Sequence, residues 1–208
     1  MDLKIGCGGW WDFDGGLPSY SRSFDFVELN TSYYRLPKIS SARQWRRNVP
    51  GGFEFSAKLS RTPPADEQAM MDLLDAMNVR YVVVHLSTSW WEKAVQLLNE
   101  GGYVPVLEKR GRRGVATPSL YAPIVTAIDP STSVHVPGRT EGDTYLRVFG
   151  TERGVLHHLS QGMVERVASQ VRELNRSGSN RVRVVTHTYQ MYDDAERIRQ
   201  MAREEEDG

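Results

Sequence analysis

Eight short apolar runs at fairly even spacing constrain the fold of this chain more than any other feature. Most of the runs end on a polar or charged residue, and segments of helical character separate several of them. Strands that alternate with helices form parallel sheets, and eight such units close into a TIM-type (β/α)8 barrel. The runs are Leu3–Cys7, Asp25–Asn30, Phe53–Lys58, Tyr81–His85, Tyr103–Glu108, Ile124–Asp129, Thr144–Gly150 and Val182–His187. We therefore predict a compact α/β barrel whose functional groups lie at the carboxyl ends of the strands.

Helical periodicity is clearest in two segments between these runs. Apolar residues recur on one face of residues 66–77 and of residues 160–176. The sequence Ser89-Trp-Trp-Glu92 predicts a capping box at the start of another helix. Residues 11–23 and 130–142 are instead rich in Gly, Pro, Ser and Asp. We therefore predict that one or two of the crossings between strands are degenerate.

Length and composition fit a single barrel domain over residues 1–203, followed by a disordered acidic tail over residues 204–208. The 26 basic and 26 acidic side chains balance, so no global charge favours nucleic acid or a membrane surface. The single cysteine, Cys7, cannot form an intrachain disulfide. No signal-peptide pattern and no apolar run long enough to span a bilayer are visible. These features predict a cytoplasmic protein with no membrane partner.

Strand parity predicts which polar side chains face the barrel interior. If Val27 and Leu29 pack on helices, then Glu28 and Asn30 point inward. Alternation along the other strands, together with the charged residues that end them, predicts five charged groups at one end of the barrel. They are Glu28, Lys58, Glu108, Asp129 and Arg147. Burying these charges is costly unless they pair or meet a ligand. One hypothesis is a site in which Lys58 and Arg147 hold an anion while Glu108, Asp129 and Glu28 are catalytic. The alternative is a salt-bridge network that satisfies itself.

Other candidate residues lie around the same rim. His85 and His187 end strands four and eight, and Trp10 and Tyr34 belong to rim aromatics that could stack on a ligand. With the carboxylates, the two histidines could also form a metal site, but no His-x-His or His-x-x-x-His spacing supports it, so we name no metal ligand and no cofactor. The basic stretch Lys109–Arg113 could contact phosphates, which makes nucleic-acid binding an alternative function.

Several motifs along the chain carry a family resemblance. In order, they are Ile5-Gly-Cys-Gly-Gly-Trp10, Phe26-Val-Glu-Leu-Asn-Thr-Ser-Tyr-Tyr-Arg-Leu-Pro37, Trp45, Phe53-Glu-Phe-Ser-Ala-Lys58, Val106-Leu-Glu108, Asp129, Tyr145-Leu-Arg-Val-Phe-Gly150 and Met191-Tyr-Asp-Asp-Ala195. These motifs resemble the YecE-like family, domain of unknown function seventy-two, and the last of them is most similar to archaeal members. The resemblance implies a TIM-type barrel but no settled reaction. It implies polar signature positions at Glu28, Asn30, Tyr34, Arg35, Lys58, Glu108, Asp129 and Arg147.

The chain also departs from the family pattern at strand ends. Cys7-Gly8 stand where the family often has Thr-Ser, Phe149 stands in place of His, and His187-Thr188 stand in place of Asn-Asn. The usual Phe-Gln-Leu-Pro of strand four is replaced by Val84-His-Leu-Ser87. Because strand ends carry the chemistry of barrels, these changes predict an altered substrate preference or activity.

The leading hypothesis is an intracellular acid–base enzyme, hydrolase-like, that acts on a small or oligomeric anionic substrate carrying phosphate. Asn30, Tyr34, Arg35, Lys58, Arg147, Trp10, His85 and His187 are the predicted substrate-binding residues. Two alternatives remain: a nucleic-acid-binding protein, and a barrel that binds a ligand without catalysis.

Overall fold

The computed structural model describes residues 2–108, 125–131, 142–151 and 154–203. Within these ranges the strands are β1 (Asp2–Cys7), β2 (Phe26–Leu29), β3 (Glu54–Lys58), β4 (Tyr81–His85), β5 (Val104–Glu108), β6 (Val125–Ile128), β7 (Asp143–Val148) and β8 (Arg181–Thr186). The helices are α1 (Gly16–Ser23), α2 (Thr31–Tyr34), α3 (Ile39–Arg47), α4 (Glu67–Ala76), α5 (Trp91–Glu100), α6 (Gln161–Arg176) and α7 (Met191–Arg203). Each strand falls on one of the predicted apolar runs.

The strand order of the sheet is a closed barrel from β1 to β8. This order, with helices in the connections, confirms the predicted TIM-type α/β barrel. The crossing over residues 11–23, predicted to lack a full helix, contains the eight-residue helix α1. Most of the second such crossing, the basic stretch Lys109–Arg113 and the predicted acidic tail lie outside the described residues.

The chain divides into two compact units, which are described one at a time. The β2–β5 unit comprises Gly9–Val125, and its strands pair in parallel in the order β2-β3-β4-β5. Fully buried apolar residues of β2, β3 and β4 include Val27, Ala57 and Val82, and they alternate with residues of the opposite face. Helix α4 begins where the side chain of Asp66 accepts a hydrogen bond from the Ala69 amide.

The β6–β1 unit comprises Met1–Gly8 and Thr126–Gly208, with parallel pairing in the order β6-β7-β8-β1. Helix α6 begins at the predicted position, where the Ser160 hydroxyl accepts from the Met163 amide. The predicted apolar stripe of α6 is buried, as Val164 and Val171 show. The turn after β7 needs Gly150, because its φ is 77° and a Cβ there would lie 2.5 Å from Leu156 Cδ1.

Among the described residues, no helix combines the length and the apolar character needed to cross a bilayer. Cys7 is buried as a free thiol, and its Sγ donates to the carbonyl of Met191 at 3.4 Å. Cys7 pairs with Thr186 in the β1–β8 register. The Thr186 hydroxyl lies 2.8 Å from the same Met191 carbonyl, so this position anchors α7 to the sheet.

Candidate functional site

Register places three predicted site residues of the β2–β5 unit on one face of its sheet. His85 is paired with Glu108, and Val83, two residues before His85, is paired with Lys58. Residues paired in register, and residues two apart along a strand, share a face. Lys58, His85 and Glu108 therefore project from the same face, at the carboxyl ends of three consecutive strands.

A buried ion pair joins the first and third of these strands. Lys58 Nζ lies 2.8 Å from Glu108 Oε2, and the two side chains are 12% and 4% exposed. The ammonium also lies 4.8 Å from the centre of the Tyr33 ring. A cation over an aromatic face is attracted by the ring's negative face, so Tyr33 stabilises the charged form of Lys58. The carboxylate and the ring hold the ammonium at one point of the strand ends.

Helix α2 brings Tyr33 to this position. The Ser32 hydroxyl lies 2.8 Å from the carbonyl of Leu29 and 2.8 Å from the carbonyl of Lys58. It thus ties the end of β2 to the end of β3. Tyr33 follows Ser32 in sequence, and this tie fixes its ring beside Lys58. The sequence analysis did not identify Tyr33 as a partner of the predicted cation.

Glu28 belongs to the same face of the sheet. It is paired with Ser56, which precedes Lys58 by two residues. Its side chain is fully buried, with a relative exposure of 0%. Asn30 follows β2 as the residue before α2 and is half-buried. The predicted inward position of Glu28 thus agrees with the register, one strand away from Lys58.

His85 contacts the loop that follows its own strand. Its Nδ1 lies 2.8 Å from Ser87 Oγ and accepts a hydrogen bond from the Ser87 amide at 3.1 Å. Ser87 is exposed, whereas the next residue, Thr88, is buried. The sequence identified His85 as a candidate but missed Ser87. A His-x-Ser spacing in a run that ends a strand was the available signal.

The remaining predicted residues of this unit lie apart from the ion pair or contact it indirectly. Tyr34 is 84% exposed and meets Tyr33 edge to face, with ring centres 5.1 Å apart. Arg35 is exposed at the end of α2. Trp10 packs edge to face against Trp45 at 5.3 Å, an arrangement typical of a packed aromatic cluster. Tyr34 and Arg35 are therefore accessible, while Trp10 is half-buried among aromatic rings.

In the β6–β1 unit, two predicted site residues contact the ring of Phe149, a residue that differs from the family pattern. The Arg147 side chain is buried, and its guanidinium lies 5.0 Å from the centre of the Phe149 ring. Phe149 in turn stacks on His187, with ring centres 4.4 Å apart and planes 9° apart. Arg147 and His187 therefore both contact the Phe149 ring, at the ends of β7 and β8.

Asp129, predicted as a catalytic acid or base, binds backbone amides in this unit. Its Oδ1 accepts from the Ser131 amide at 3.0 Å, and its Oδ2 accepts from the Phe149 amide at 2.9 Å. The Ser131 hydroxyl accepts from the Gly150 amide at 3.0 Å. These bonds join the end of β6 to the end of β7. The Asp129 carboxylate therefore holds the backbone at Phe149, and its catalytic role stays a prediction.

The amino-terminal ends of the strands in the same unit carry a buried cation that the sequence analysis missed. Arg183 is 1% exposed, and it donates to the carbonyl and to the carboxylate of Asp2, each at 2.7 Å. Burial raises the pKa of Asp2, but the hydrogen bond and charge of Arg183, with Lys4 and Arg181, lower that pKa below its usual value overall.

One group of described residues brings three potential metal ligands together: His158, Asp193 and Asp194, with ligand atoms within 4.8 Å of one another. The Asp194 carboxylate is already occupied. It accepts from the Leu159 amide at 3.1 and 3.2 Å, and from Arg197 Nη1 at 3.0 Å. A guanidinium at that distance opposes a cation, so this cluster anchors α7 to the segment before α6.

Residues 12–64 match a family model described as "Protein of unknown function DUF72", over less than half of the chain. The structure is similar to that of a DUF72 family protein from Thermotoga maritima, with a TM-score of 0.66 and 18% identity over 98% of this chain and 100% of that one. A DUF72 family protein from Enterococcus faecalis aligns with a TM-score of 0.64 and 16% identity over 96% of each chain.

An uncharacterized protein from Parabacteroides distasonis is also similar, with a TM-score of 0.57 and 10% identity over 98% of this chain and 99% of that one. No curated protein matches the sequence. At these identities the structural similarity shows the shared fold. It thus supports the barrel, and the family model supports the resemblance in the segment that contains Glu28, Asn30 and Lys58.

Proposed function

We propose that the chain is an acid–base, hydrolase-like enzyme whose site is centred on the Lys58–Glu108 pair and takes a small anionic, phosphate-bearing substrate. We also propose that the whole chain is a YecE-like DUF72 protein of archaeal type. A cytoplasmic location belongs to the same proposal, in keeping with the free thiol of Cys7.

The observation that carries the function is the buried pair itself. Taking two charges out of water costs several kcal/mol per ion, and apolar residues in their place are often as stable. The pair lies at the carboxyl ends of the strands, where barrel enzymes hold their chemistry. A largely buried charge pair at that position is better explained by a role in ligand binding than by a contribution to the free energy of unfolding.

The pair also supplies the two functions that acid–base hydrolysis needs. An anionic group that approaches Lys58 competes with Glu108 for the ammonium. The carboxylate would then be able to accept or return a proton at the substrate. Glu28, on the same face, adds a second carboxylate. Arg147 and His187 keep their predicted ligand-binding roles as separate proposals, each testable by its own variant.

Binding of inorganic phosphate, measured by isothermal titration calorimetry, tests the anion site. We expect Lys58→Met to weaken binding about tenfold or more, since a hydrogen bond to a charged group is worth about 1.5–3 kcal/mol. Lys58→Arg keeps the charge and should retain measurable binding. Lys93→Met is the matched control, because Lys93 also pairs with a carboxylate, that of Glu67, but is 59% exposed.

Hydrolysis of p-nitrophenyl phosphate and bis(p-nitrophenyl) phosphate tests the acid–base role. Glu108→Gln should lower kcat by about 10²–10⁴-fold, while phosphate binding persists. Equal phosphate binding by wild type and Lys58→Met would overturn the proposal. Oligonucleotide binding that weakens steeply with salt, survives Lys58→Met and fails in Arg112→Ala would support the nucleic-acid function in its place.

A further inference from the structure

The contact between His85 and Ser87 has a defined polarity. A backbone amide can only donate, so the bond from the Ser87 amide makes His85 Nδ1 an acceptor. In the neutral imidazole the ring proton is then on Nε2. The Ser87 hydroxyl, 2.8 Å from the same Nδ1, must therefore donate its proton to it. A serine hydroxyl that donates to an unprotonated imidazole nitrogen is the arrangement of an activated nucleophile.

We propose that Ser87 is a nucleophile and His85 its general base, and that the substrate is a carboxylic ester of a small acid. This inference rests on the proposed anion-binding hydrolase and adds a second hydrolytic activity at the same strand ends, with Lys58 holding the phosphate group of a phosphate-bearing ester. Ser87 is exposed, so a substrate can reach its Oγ. His85 shares the sheet face of Lys58 and Glu108, which places the dyad at the same strand ends.

The reaction follows in two balanced steps. Ser87 Oγ attacks the carbonyl carbon of the ester while its proton passes to His85 Nδ1. The bond to the alcohol oxygen breaks, and that oxygen leaves with the proton from His85. Water then gives a proton to Nδ1 and attacks the acyl-serine carbonyl. Ser87 Oγ leaves and recovers the proton, and the carboxylic acid is released.

The neighbouring Thr88 supplies a second observation. It is 6% exposed, and within the part of the chain that the structure describes its Oγ1 is buried without a hydrogen-bond partner. Such a group is uncommon in native proteins and calls for a functional or structural reason. A hydroxyl donor directly after the nucleophile could stabilise the oxyanion that forms on the attacked carbonyl.

Acylation by p-nitrophenyl acetate, quenched in acid and followed by intact-protein and peptide mass spectrometry, tests the dyad. We expect one acetyl group on Ser87 in the wild type and none in Ser87→Ala. Ser89→Ala is the matched control, since Ser89 is an exposed serine of the same loop, and it should acylate like wild type. His85→Gln should slow acylation by about 10²-fold or more. Thr88→Val should slow it by about 10²-fold while the protein remains folded.

An acetyl group that appears elsewhere, or in Ser87→Ala as readily as in wild type, would overturn the inference. Equal acylation rates in His85→Gln and wild type would also overturn it, because the histidine would then only close a turn. The two proposals fail separately. Phosphate binding that depends on Lys58, without acylation of Ser87, leaves the proposed anion site standing and removes the dyad. Acylation of Ser87 without any phosphate binding leaves the dyad standing and removes the proposed anion site.

Discussion

Breaking the Lys58–Glu108 pair from one side should destabilise the protein far more than removing both charges. At 2.8 Å and an effective dielectric constant of about 20, the attraction between two unit charges is about 6 kcal/mol. Desolvation of both ions offsets most of this gain. In Lys58→Met the attraction is lost, while Glu108, 4% exposed, keeps its desolvation cost. We therefore expect that variant to lose about 3–5 kcal/mol of unfolding free energy.

Glu108→Gln should cost less, near the lower end of that range, about 3 kcal/mol. Lys58 is the more exposed partner and keeps the Tyr33 ring under its ammonium. Its flexible stem also allows the charge to move toward water. The double variant Lys58→Met/Glu108→Gln leaves no unpaired charge, and we expect it to lie within about 1–2 kcal/mol of wild type.

Urea denaturation followed by circular dichroism measures all four proteins of this double-mutant cycle. The expected coupling is at least about 4 kcal/mol. Lys93 and Glu67 form the matched control pair, with exposures of 59% and 34%. Their cycle should give a coupling of about 0–1 kcal/mol, because exposed pairs contribute little. Additive losses in the Lys58–Glu108 cycle would refute the reasoning, since burial of the pair would then carry no energetic consequence.

Three further predictions concern other polar groups. Thr88→Val should raise the unfolding free energy by about 1 kcal/mol in urea, because it removes a buried hydroxyl without a partner in the described residues. Asp194→Ala should lower it by about 3–5 kcal/mol, since the Leu159 amide loses its acceptor and Arg197 its counter-charge. Asp2→Asn should be less stable than wild type at neutral pH, and this difference should shrink in a thermal-unfolding series as the pH falls below about 4 and vanish once the folded carboxyl is protonated.

The sign of the Asp2 prediction follows from its lowered pKa. A carboxyl whose pKa is lower in the folded state stabilises the protein above its unfolded pKa and loses that contribution as acid protonates it. A gap between Asp2→Asn and wild type that widens in acid would contradict this account. Thr88→Val would contradict its prediction by unfolding in less urea than wild type. For Asp194→Ala, the contradicting result is an unchanged midpoint.

Alternation along the strands made the Lys58–Glu108 face predictable. Side chains in a strand alternate between the two faces of the sheet, and paired residues of neighbouring parallel strands share a face. The face assigned to Glu28 and Lys58 therefore also predicts which residues of the neighbouring strands lie beside them. The strand runs were recognisable for the same reason, since they are short, apolar and bounded by polar residues. Apolar periodicity also located α6, because its buried residues recur at helical spacing along the sequence.

Contacts between residues far apart in sequence determine the start of α5 and the partner of Asp129, and local sequence patterns did not predict either. The capping box expected at Ser89 is absent, and α5 begins at Trp91 after Trp90. The Trp90 indole donates to the Ser60 carbonyl at 3.2 Å, a contact between residues far apart in sequence. That contact holds Trp90 in the loop conformation before the first helical residue. The contact between Asp129 and the Phe149 amide was hidden for a similar reason, because Phe149 follows the next strand, β7.

The Lys58–Glu108 pair and Ser87 differ in burial, so variants at these positions distinguish effects on stability from effects on activity. Glu108 is a buried strand residue and Lys58 is a largely buried one, so substituting either changes the free energy of unfolding as well as any chemistry. Ser87 is an exposed loop residue whose hydroxyl contacts His85. Its loss should leave stability within about 0.5 kcal/mol, as surface substitutions usually do. A large effect of Ser87→Ala on acylation with no effect on unfolding would therefore separate a chemical role from a structural one.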